Sequence, residues 1–165
     1  MTAFDDLPDR ARVWLFAADG PLPESALAAV RAWLPSWASH GRPVTARADV
    51  IAERVLAVAA LISPEEYNAG VSGCGIDAMS RAVEAAFAAA GRAQDSPLAV
   101  THREPGGAWR TAARPAFRRL AREGAVTGET RVLDLTATDL GALRAAGVER
   151  PAAETWHGRV FGVAA

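Results

Sequence analysis

The chain holds a single cysteine, Cys74, in the glycine-rich segment SGCGID at residues 72–77. An apolar helical pattern begins with this segment, and free amides at a helix start attract anions and favour a thiolate. Glycine also lets the backbone approach a ligand closely. The segment therefore predicts a ligand-binding loop, or a nucleophile site, formed by Ser72, Gly73, Cys74 and Gly75. For the thiol itself a structural role is favoured, with Ser72 capping the helix, because lone cysteines are usually buried and inert.

A second group of candidate residues lies near the C-terminal end, in the segment TWHGRVF at residues 155–161. Period-two alternation predicts a short strand with Trp156 and Val160 inward and with His157 and Arg159 together on the other face. There His157 would serve as a base and Arg159 as an anion clamp. A strand that pins the terminus through Trp156 is the favoured alternative, because tryptophan is rarely left in solvent.

The other two histidines carry weaker signals. His40, in the segment SWASHG, is placed at the end of a predicted helix, where an imidazolium interacts favourably with the helix dipole. His102 lies beside Arg103 on a predicted strand and is expected at the surface.

Two hypotheses of function follow from these residues. In the first, the chain is a non-catalytic cytoplasmic domain that binds a small ligand or a protein partner at the glycine-rich loop. The walls of that site would come from His40, Trp156, His157 and Arg159. In the alternative, the chain is a thiol enzyme with Cys74 as nucleophile, His157 or His40 as base and Asp77 as the orienting carboxylate.

Several well-defined kinds of site are excluded because their motifs are missing. The chain has no GxxxxGK[ST] phosphate loop and no GxGxxG, HExxH, GxSxG or EF-hand pattern. One cysteine excludes an internal disulfide and every zinc site built from several cysteines. The three histidines are far apart in sequence, and none has a carboxylate at metal-ligand spacing. No metal or other cofactor is therefore predicted.

The charge balance and the apolar runs bear on partners and location. The formal net charge is −1 with a pI near 6.3, which disfavours generic nucleic-acid binding. Every apolar run is shorter than a membrane span, and the acidic start MTAFDDLPDR lacks the apolar core of a secretory signal. The expected location is therefore the cytoplasm, away from membranes.

Periodicity predicts the elements that must position these residues. A buried strand at residues 13–20 precedes a helix from Pro23 to Gly41, which is kinked or broken at Pro35. A β-hairpin follows, formed by an alternating strand at residues 44–50 and a continuously apolar strand at residues 55–62. After a loop, a second helix ends at Gly91 and carries the apolar stripe Ile76, Met79, Val83, Phe87 and Ala90. Residues 97–104 and 108–115 predict a second hairpin.

This order of elements predicts an α+β fold of the ferredoxin-like (βαββαβ) type, with an antiparallel sheet and two helices on one face. The predicted domain spans residues 12–113, after a flexible start at residues 1–11. Residues 114–165 form an appendix: a helix with Phe117 and Leu120 inward, a strand, and a helix capped at Thr138 that ends at Gly147. Because such a sheet leaves one face open, a homodimer is a possible assembly.

Four motifs occur along the chain in this order: VWLFAADGPL from Val13, W-x-x-HG ending at Gly41, SGCGID, and WHGRVF near the C-terminal end. Together they resemble an uncharacterised bacterial protein family with an SGCxID motif and a C-terminal WHxRxF motif, some of whose members are labelled "ABC transporter ATPase". The resemblance spans about residues 13–161, and SGCxID is its most specific part. It marks as candidates Trp37, His40, Cys74, Asp77, Trp156 and His157.

The resemblance implies no ATP hydrolysis, since an ABC ATPase needs the phosphate loop that this chain lacks. Two positions depart from the family pattern. Gly75 stands where family members often have serine, and AALIS at residues 59–63 stands where they have an acidic pair. The family pattern names no reaction for this chain.

Overall fold

The computed structural model describes residues 2–61 and 70–163, which fall into two compact units. Unit 1 consists of Met1–Gln94 with Ala137–Ala145, and unit 2 of Asp95–Thr136 with Ala146–Ala165. The first division therefore falls between Gln94 and Asp95, and a late segment, Ala137–Ala145, returns to unit 1. Among the helices of the described residues, none has the length and apolar character that crossing a bilayer requires.

Unit 1 is built on a three-stranded antiparallel sheet with two helices. Its elements up to Gln94 are β1 (Arg12–Ala17), α1 (Glu24–Trp33), β2 (Ala38–Ser39), β3 (Arg42–Pro43), β4 (Thr45–Ile51), β5 (Val55–Leu61) and α2 (Gly73–Ala89). The strand order is β1-β5-β4, so the most apolar strand is central. The predicted hairpin is confirmed, with Ile51 opposite Val55 across the turn. The last residue of the predicted strand, Ile62, and the first part of the predicted loop lie outside the described residues.

The main core of unit 1 lies between one face of this sheet and the two helices. Alternate residues of β4 and β5 meet the apolar stripes of α1 and α2, as the period-two and helical patterns predict. The core includes Ala46, Ala48, Leu56, Val58, Leu27, Val30, Met79, Val83 and Phe87. Burying each of the larger side chains is worth about 1.5–3 kcal/mol, so this layer supplies the main stabilisation of unit 1.

The opposite face of the sheet is covered as well. Val55, Ala57 and Ala59, which alternate with the core residues of β5, are fully buried. Phe4 and Leu7 are also buried, although the first eleven residues are predicted to be flexible. The open face on which the predicted homodimer rests is therefore occupied, and the oligomeric state itself stays a prediction.

The region around Pro35 differs from the predicted helix. α1 ends at Trp33 and a 3-10 turn follows at Leu34–Ser36, which confirms the predicted break. The chain then forms the β2–β3 hairpin, whose two turn residues, His40 and Gly41, have φ values of 51° and 74°. Two positive φ angles define a type I′ turn, which favours glycine. The predicted helix end at Gly41, and with it the helix-end position of His40, is wrong.

Unit 2 contains a four-stranded antiparallel sheet of order β7-β6-β8-β9. The elements of this part of the chain are β6 (Ala99–Arg103), β7 (Trp109–Ala113), α3 (Arg114–Arg122), β8 (Arg131–Leu133), α4 (Leu140–Ala146), β9 (Glu149–Pro151) and α5 (Trp156–Phe161). All of α4 except its last residue belongs to unit 1. The side chain of Asp139, not that of Thr138, accepts a hydrogen bond from the first turn of α4, at Ala142 N (2.8 Å).

The core of unit 2 is centred on Phe117 of α3, which is fully buried. The ring of Phe117 packs edge-on against Phe161, with centroids 4.9 Å apart. Leu120 packs partly buried against the same cluster, and Gly124 follows α3 with φ of 72°. The predicted helix of the appendix is therefore confirmed in its position and in its inward face.

The α+β class is confirmed, but the ferredoxin-like strand order is not found. In that topology the strand after the second helix would join the first sheet. Here β6 pairs with β7 and β8 in a separate sheet, while β1 pairs with β5. The described strands therefore form a three-stranded and a four-stranded sheet, besides the short β2–β3 hairpin, instead of a single larger sheet.

Candidate functional site

The glycine-rich loop is held by a pair of serines from two segments of unit 1. Ser72 Oγ accepts a hydrogen bond from Gly75 N (3.2 Å), which is the predicted cap of α2. Ser39, in the β2–β3 hairpin, donates from Oγ to Ser72 Oγ (3.0 Å) and accepts from Ser72 N (2.8 Å). The structure therefore joins the hairpin that contains His40 to the start of α2 through the side-chain hydroxyl of Ser39.

Gly75 lies in a closely packed part of the loop. A Cβ at this position would lie 3.0 Å from Val71 Cγ1 and 3.3 Å from Ser72 Oγ. The carbonyl oxygen of Gly75 also accepts a hydrogen bond from the buried Trp37 Nε1 (2.9 Å). This buried hydrogen bond joins the W-x-x-HG and SGCGID motifs, which are far apart in sequence. It gives Trp37 and Gly75 a structural role.

The Ser72→Ala variant should lower the free energy of unfolding by about 1 kcal/mol, because it removes the cap and the contact with Ser39. Ser80→Ala is a matched control inside α2 and should change it by less than about 0.5 kcal/mol. Urea unfolding measures both values. Equal stabilities of the two variants would contradict the capping role.

The chemically active groups around this loop point into solvent. Cys74 is exposed, which contradicts the expectation that a lone cysteine is buried. His40 and Asp77 are exposed too, and Asp77 lies in the second turn of α2. The hydrogen bonds of Ser39, Ser72 and Trp37 described above hold the backbone of the loop, and none of them orients the thiol of Cys74.

The C-terminal candidates belong to unit 2 and form a helix instead of the predicted strand. In α5, His157 is buried (2% exposed) and Val160 is exposed (49%), so both predicted orientations are wrong. The reason is helical periodicity, which places His157, Gly158 and Phe161 on one face. Arg159 is exposed and Trp156 is partly buried. Cys74 and His40 lie in unit 1, whereas Trp156, His157 and Arg159 lie in unit 2.

His157 is fixed by Thr155, the cap of α5. Thr155 Oγ1 donates to the carbonyl oxygen of Ala152 (2.9 Å) and lies 2.8 Å from His157 Nδ1. Because the hydroxyl has one proton, Nδ1 must donate to Thr155, which leaves the lone pair of the neutral ring on Nε2. The ring stacks on Trp156 with centroids 3.9 Å apart.

Burial among these rings lowers the pKa of His157 from 6.5 to about 4. The Asp134 carboxylate opposes this shift in pKa, and the Arg114 guanidinium adds to it. A base works best when its pKa lies near the working pH. His157 is therefore a poor general base at neutral pH, and the structure uses it as a neutral core residue.

His102 is also buried (4% exposed), so its predicted surface position is wrong. Its Nε2 and the Nε1 of Trp109 are buried without a hydrogen-bond partner among the described residues. The His102 ring packs edge-on against Phe117, with centroids 5.3 Å apart. Burial lowers the pKa of His102, as it does for His157.

A further candidate surface, not anticipated from the sequence, lies on the outward sides of α3 and α5. We call it the arginine face, and it consists of Arg114, Arg118, Arg122, Trp156, Arg159, Val160 and the adjoining Leu98. The guanidinium of Arg114 lies over the Trp156 ring at 5.3 Å, and that of Arg118 over Phe161 at 5.6 Å. Arg114 Nη2 also donates to the carbonyl oxygen of Pro97 (3.3 Å), beside Leu98. The spacing R-x3-R-x3-R at residues 114–122 was the signal in the sequence.

Unit 1 has a groove of about 540 Å³ between the end of α1 and β4. Two of the residues that line it, Arg31 and Arg47, are charged. Arg31 is paired with Asp49 (3.3 Å) and Arg47 with Asp6 (2.5 Å). Because both charges are neutralised, this groove offers little to select an anion.

The described residues contain no cluster of three or more histidine, cysteine or acidic side chains that could hold a metal ion. Comparison of the chain with protein-family models, curated proteins and solved structures gives no match. The functional assignment therefore rests on the geometry of this chain.

Proposed function

We infer that this chain is a non-catalytic binding domain that takes a small ligand or a protein partner. The observation that carries the proposal is that the contacts around the glycine-rich loop stabilise the loop and do not activate its cysteine. Ser39, Ser72 and Trp37 make the contacts that hold the loop, and among the described residues none of these contacts reaches the thiol of Cys74. A nucleophilic cysteine needs a base or a comparable activating group beside it.

The histidines support the same proposal. His157 is buried, donates from Nδ1 to Thr155 and has a pKa near 4. His40 lies in an exposed hairpin turn, and among the described residues its ring has no hydrogen-bond partner that would fix its orientation. Neither ring is held as a general base is held in a catalytic dyad.

The alternative, a cysteine-dependent enzyme, is favoured by one observation. Cys74 is exposed in the first turn of α2, where the partial positive charge of the helix end favours an anion. Under this alternative His40 would be the base, since it shares unit 1 with the thiol.

Alkylation by iodoacetamide separates the two hypotheses, because Cys74 is the only cysteine and every label reports on it. For a binding domain, the folded protein should react within about threefold of the rate of a free peptide of residues 71–77. His40→Ala should leave that rate unchanged, since no histidine assists the thiol. The rates are measured by mass spectrometry at neutral pH.

A contrary result would be unmistakable. A folded protein that reacts about a hundredfold faster than the peptide, and loses this advantage in His40→Ala, would establish an activated thiol and refute the binding proposal. Cys74→Ser serves as the unlabelled control. Cytoplasmic location and membership of the family that the four motifs resemble belong to the same proposal and are independent of this test.

A further inference from the structure

We propose that the arginine face of unit 2 binds an acidic segment of a partner protein, one that carries aliphatic side chains between its carboxylates. The proposal rests on the proposed function, because it names the surface and the partner chemistry of a binding domain. It moves the binding surface from the glycine-rich loop of unit 1 to α3 and α5.

The charge of this face is not neutralised by an acidic side chain of the described residues. Among the described residues, Arg114, Arg118, Arg122 and Arg159 take part in no ion pair, whereas Arg103, Arg110, Arg119, Arg131 and Arg150 each have an acidic partner. Unit 2 carries nine arginines against seven acidic residues, although the whole chain has a net charge of −1. The surplus of positive charge in unit 2 is therefore concentrated on one surface.

The arginines are arranged to hold carboxylates in a row. Arg114, Arg118 and Arg122 follow one another at intervals of four residues on α3, so successive side chains leave the helix about 6 Å apart along its axis. Stacking on Trp156 and Phe161 orients the guanidinium groups of Arg114 and Arg118 before any partner arrives. An oriented guanidinium binds a carboxylate at a smaller entropic cost than a free one.

The apolar residues favour a protein over a nucleic acid. Leu98 (64% exposed) and Val160 (49%) are two of the most exposed large aliphatic side chains of the described residues, and both belong to this face. A single-stranded nucleic acid would instead need a free aromatic ring on which a base could stack. Trp156, the aromatic residue here, already stacks on His157 and carries Arg114. Exposed aliphatic groups beside arginines match a segment in which leucine alternates with glutamate.

Fluorescence anisotropy with synthetic probes tests the proposal. The probes are a short labelled peptide of alternating glutamate and leucine pairs, the same peptide with glutamine for glutamate, and an oligouridylate of equal length. The intact protein should bind the acidic peptide at low salt, and at least about tenfold more weakly the glutamine peptide. Arg122→Glu should weaken binding of the acidic peptide about tenfold, and Arg118→Glu with Arg122→Glu further.

The matched control is Arg81→Glu, which reverses one exposed charge on α2 of unit 1 and should change the affinity less than about twofold. Urea unfolding confirms that each variant is folded. Equal losses in Arg81→Glu and Arg122→Glu, absence of binding to the acidic peptide, or tighter binding of the oligouridylate would each overturn the proposal. An activated thiol at Cys74 would refute the proposed function whatever the peptide does, so the two failures are distinguishable.

Discussion

Gly158→Ala is expected to reduce the free energy of unfolding by about 3 kcal/mol, although alanine is the better helix former. A Cβ on Gly158 would lie 2.8 Å from the carbonyl oxygen of Ala152 and 2.9 Å from Ala153 Cα. Both neighbours are backbone atoms of the 3-10 turn Ala152–Glu154, which precedes α5, so neither can rotate away as a side chain would. α5 must therefore move outward and disturb the packing of His157 and Phe161 against Phe117.

The expected loss of stability in Gly158→Ala is opposite in sign to the effect of the same substitution in an open helix. In an open helix the change from glycine to alanine would stabilise by about 1 kcal/mol. Gly106→Ala is the matched control, because no heavy atom lies within 4 Å of its added Cβ, and it should change the stability by less than about 0.5 kcal/mol. Urea unfolding of the two variants decides the matter. A Gly158→Ala protein as stable as the wild type would show that the approach of α5 to residues 152–153 is looser than described.

The same contact explains why the C-terminal segment was mispredicted. Six residues, Trp156–Phe161, are too few to distinguish a period of two from a period of 3.6. What decides between helix and strand is the cap by Thr155 and the fit of Gly158 against the preceding turn, and both depend on the folded neighbourhood. By contrast, α2 is long enough for its apolar stripe to be unambiguous, and its prediction is confirmed.

Strand pairing was the other limit of prediction. Alternation identified β4 and a continuously apolar run identified β5, and the hairpin of β6 and β7 was also predicted correctly, because burial of one or both faces leaves a clear pattern in the sequence. It does not state which strand an edge will join. The placement of β6 beside β8 rests on one pair, His102 opposite Val132, and its partner lies thirty residues further along the chain. Tertiary packing, and not the local sequence pattern, therefore determines that β6 pairs with β8 and does not join the sheet of β1.

The contacts of the candidate residues could likewise be predicted where they are local in sequence and not where they are distant. The cap by Ser72 could be predicted, because it depends on neighbours within three residues. The contact of Trp37 Nε1 with Gly75 could not, because thirty-eight residues separate the two. The regular spacing of arginines on α3 can be seen in the sequence. Only the structure shows that Arg114, Arg118 and Arg122 have no acidic partner among the described residues, whereas Arg119 has one.

Acid is expected to destabilise the protein through His157. Its pKa is 6.5 in an unfolded chain and about 4 in the fold. Between these values the unfolded chain binds a proton that the folded chain does not, so the free energy of unfolding falls as the pH falls. The stabilisation from the neutral ring is complete above pH 6.5, and up to about 3 kcal/mol of it is lost once the pH reaches about 4.

His157→Asn isolates this contribution. An asparagine amide can donate to Thr155 Oγ1 from nearly the position of Nδ1, yet it does not titrate. The carboxylates and His102, whose pKa is also lowered by burial, titrate in both proteins and cancel in the comparison. Urea unfolding from about pH 7 to about pH 4 should therefore give a smaller loss of stability in the variant, by up to about 3 kcal/mol. Equal losses in the two proteins would mean that His157 is hydrated in the folded state, and that α5 does not seal the aromatic cluster around Phe117.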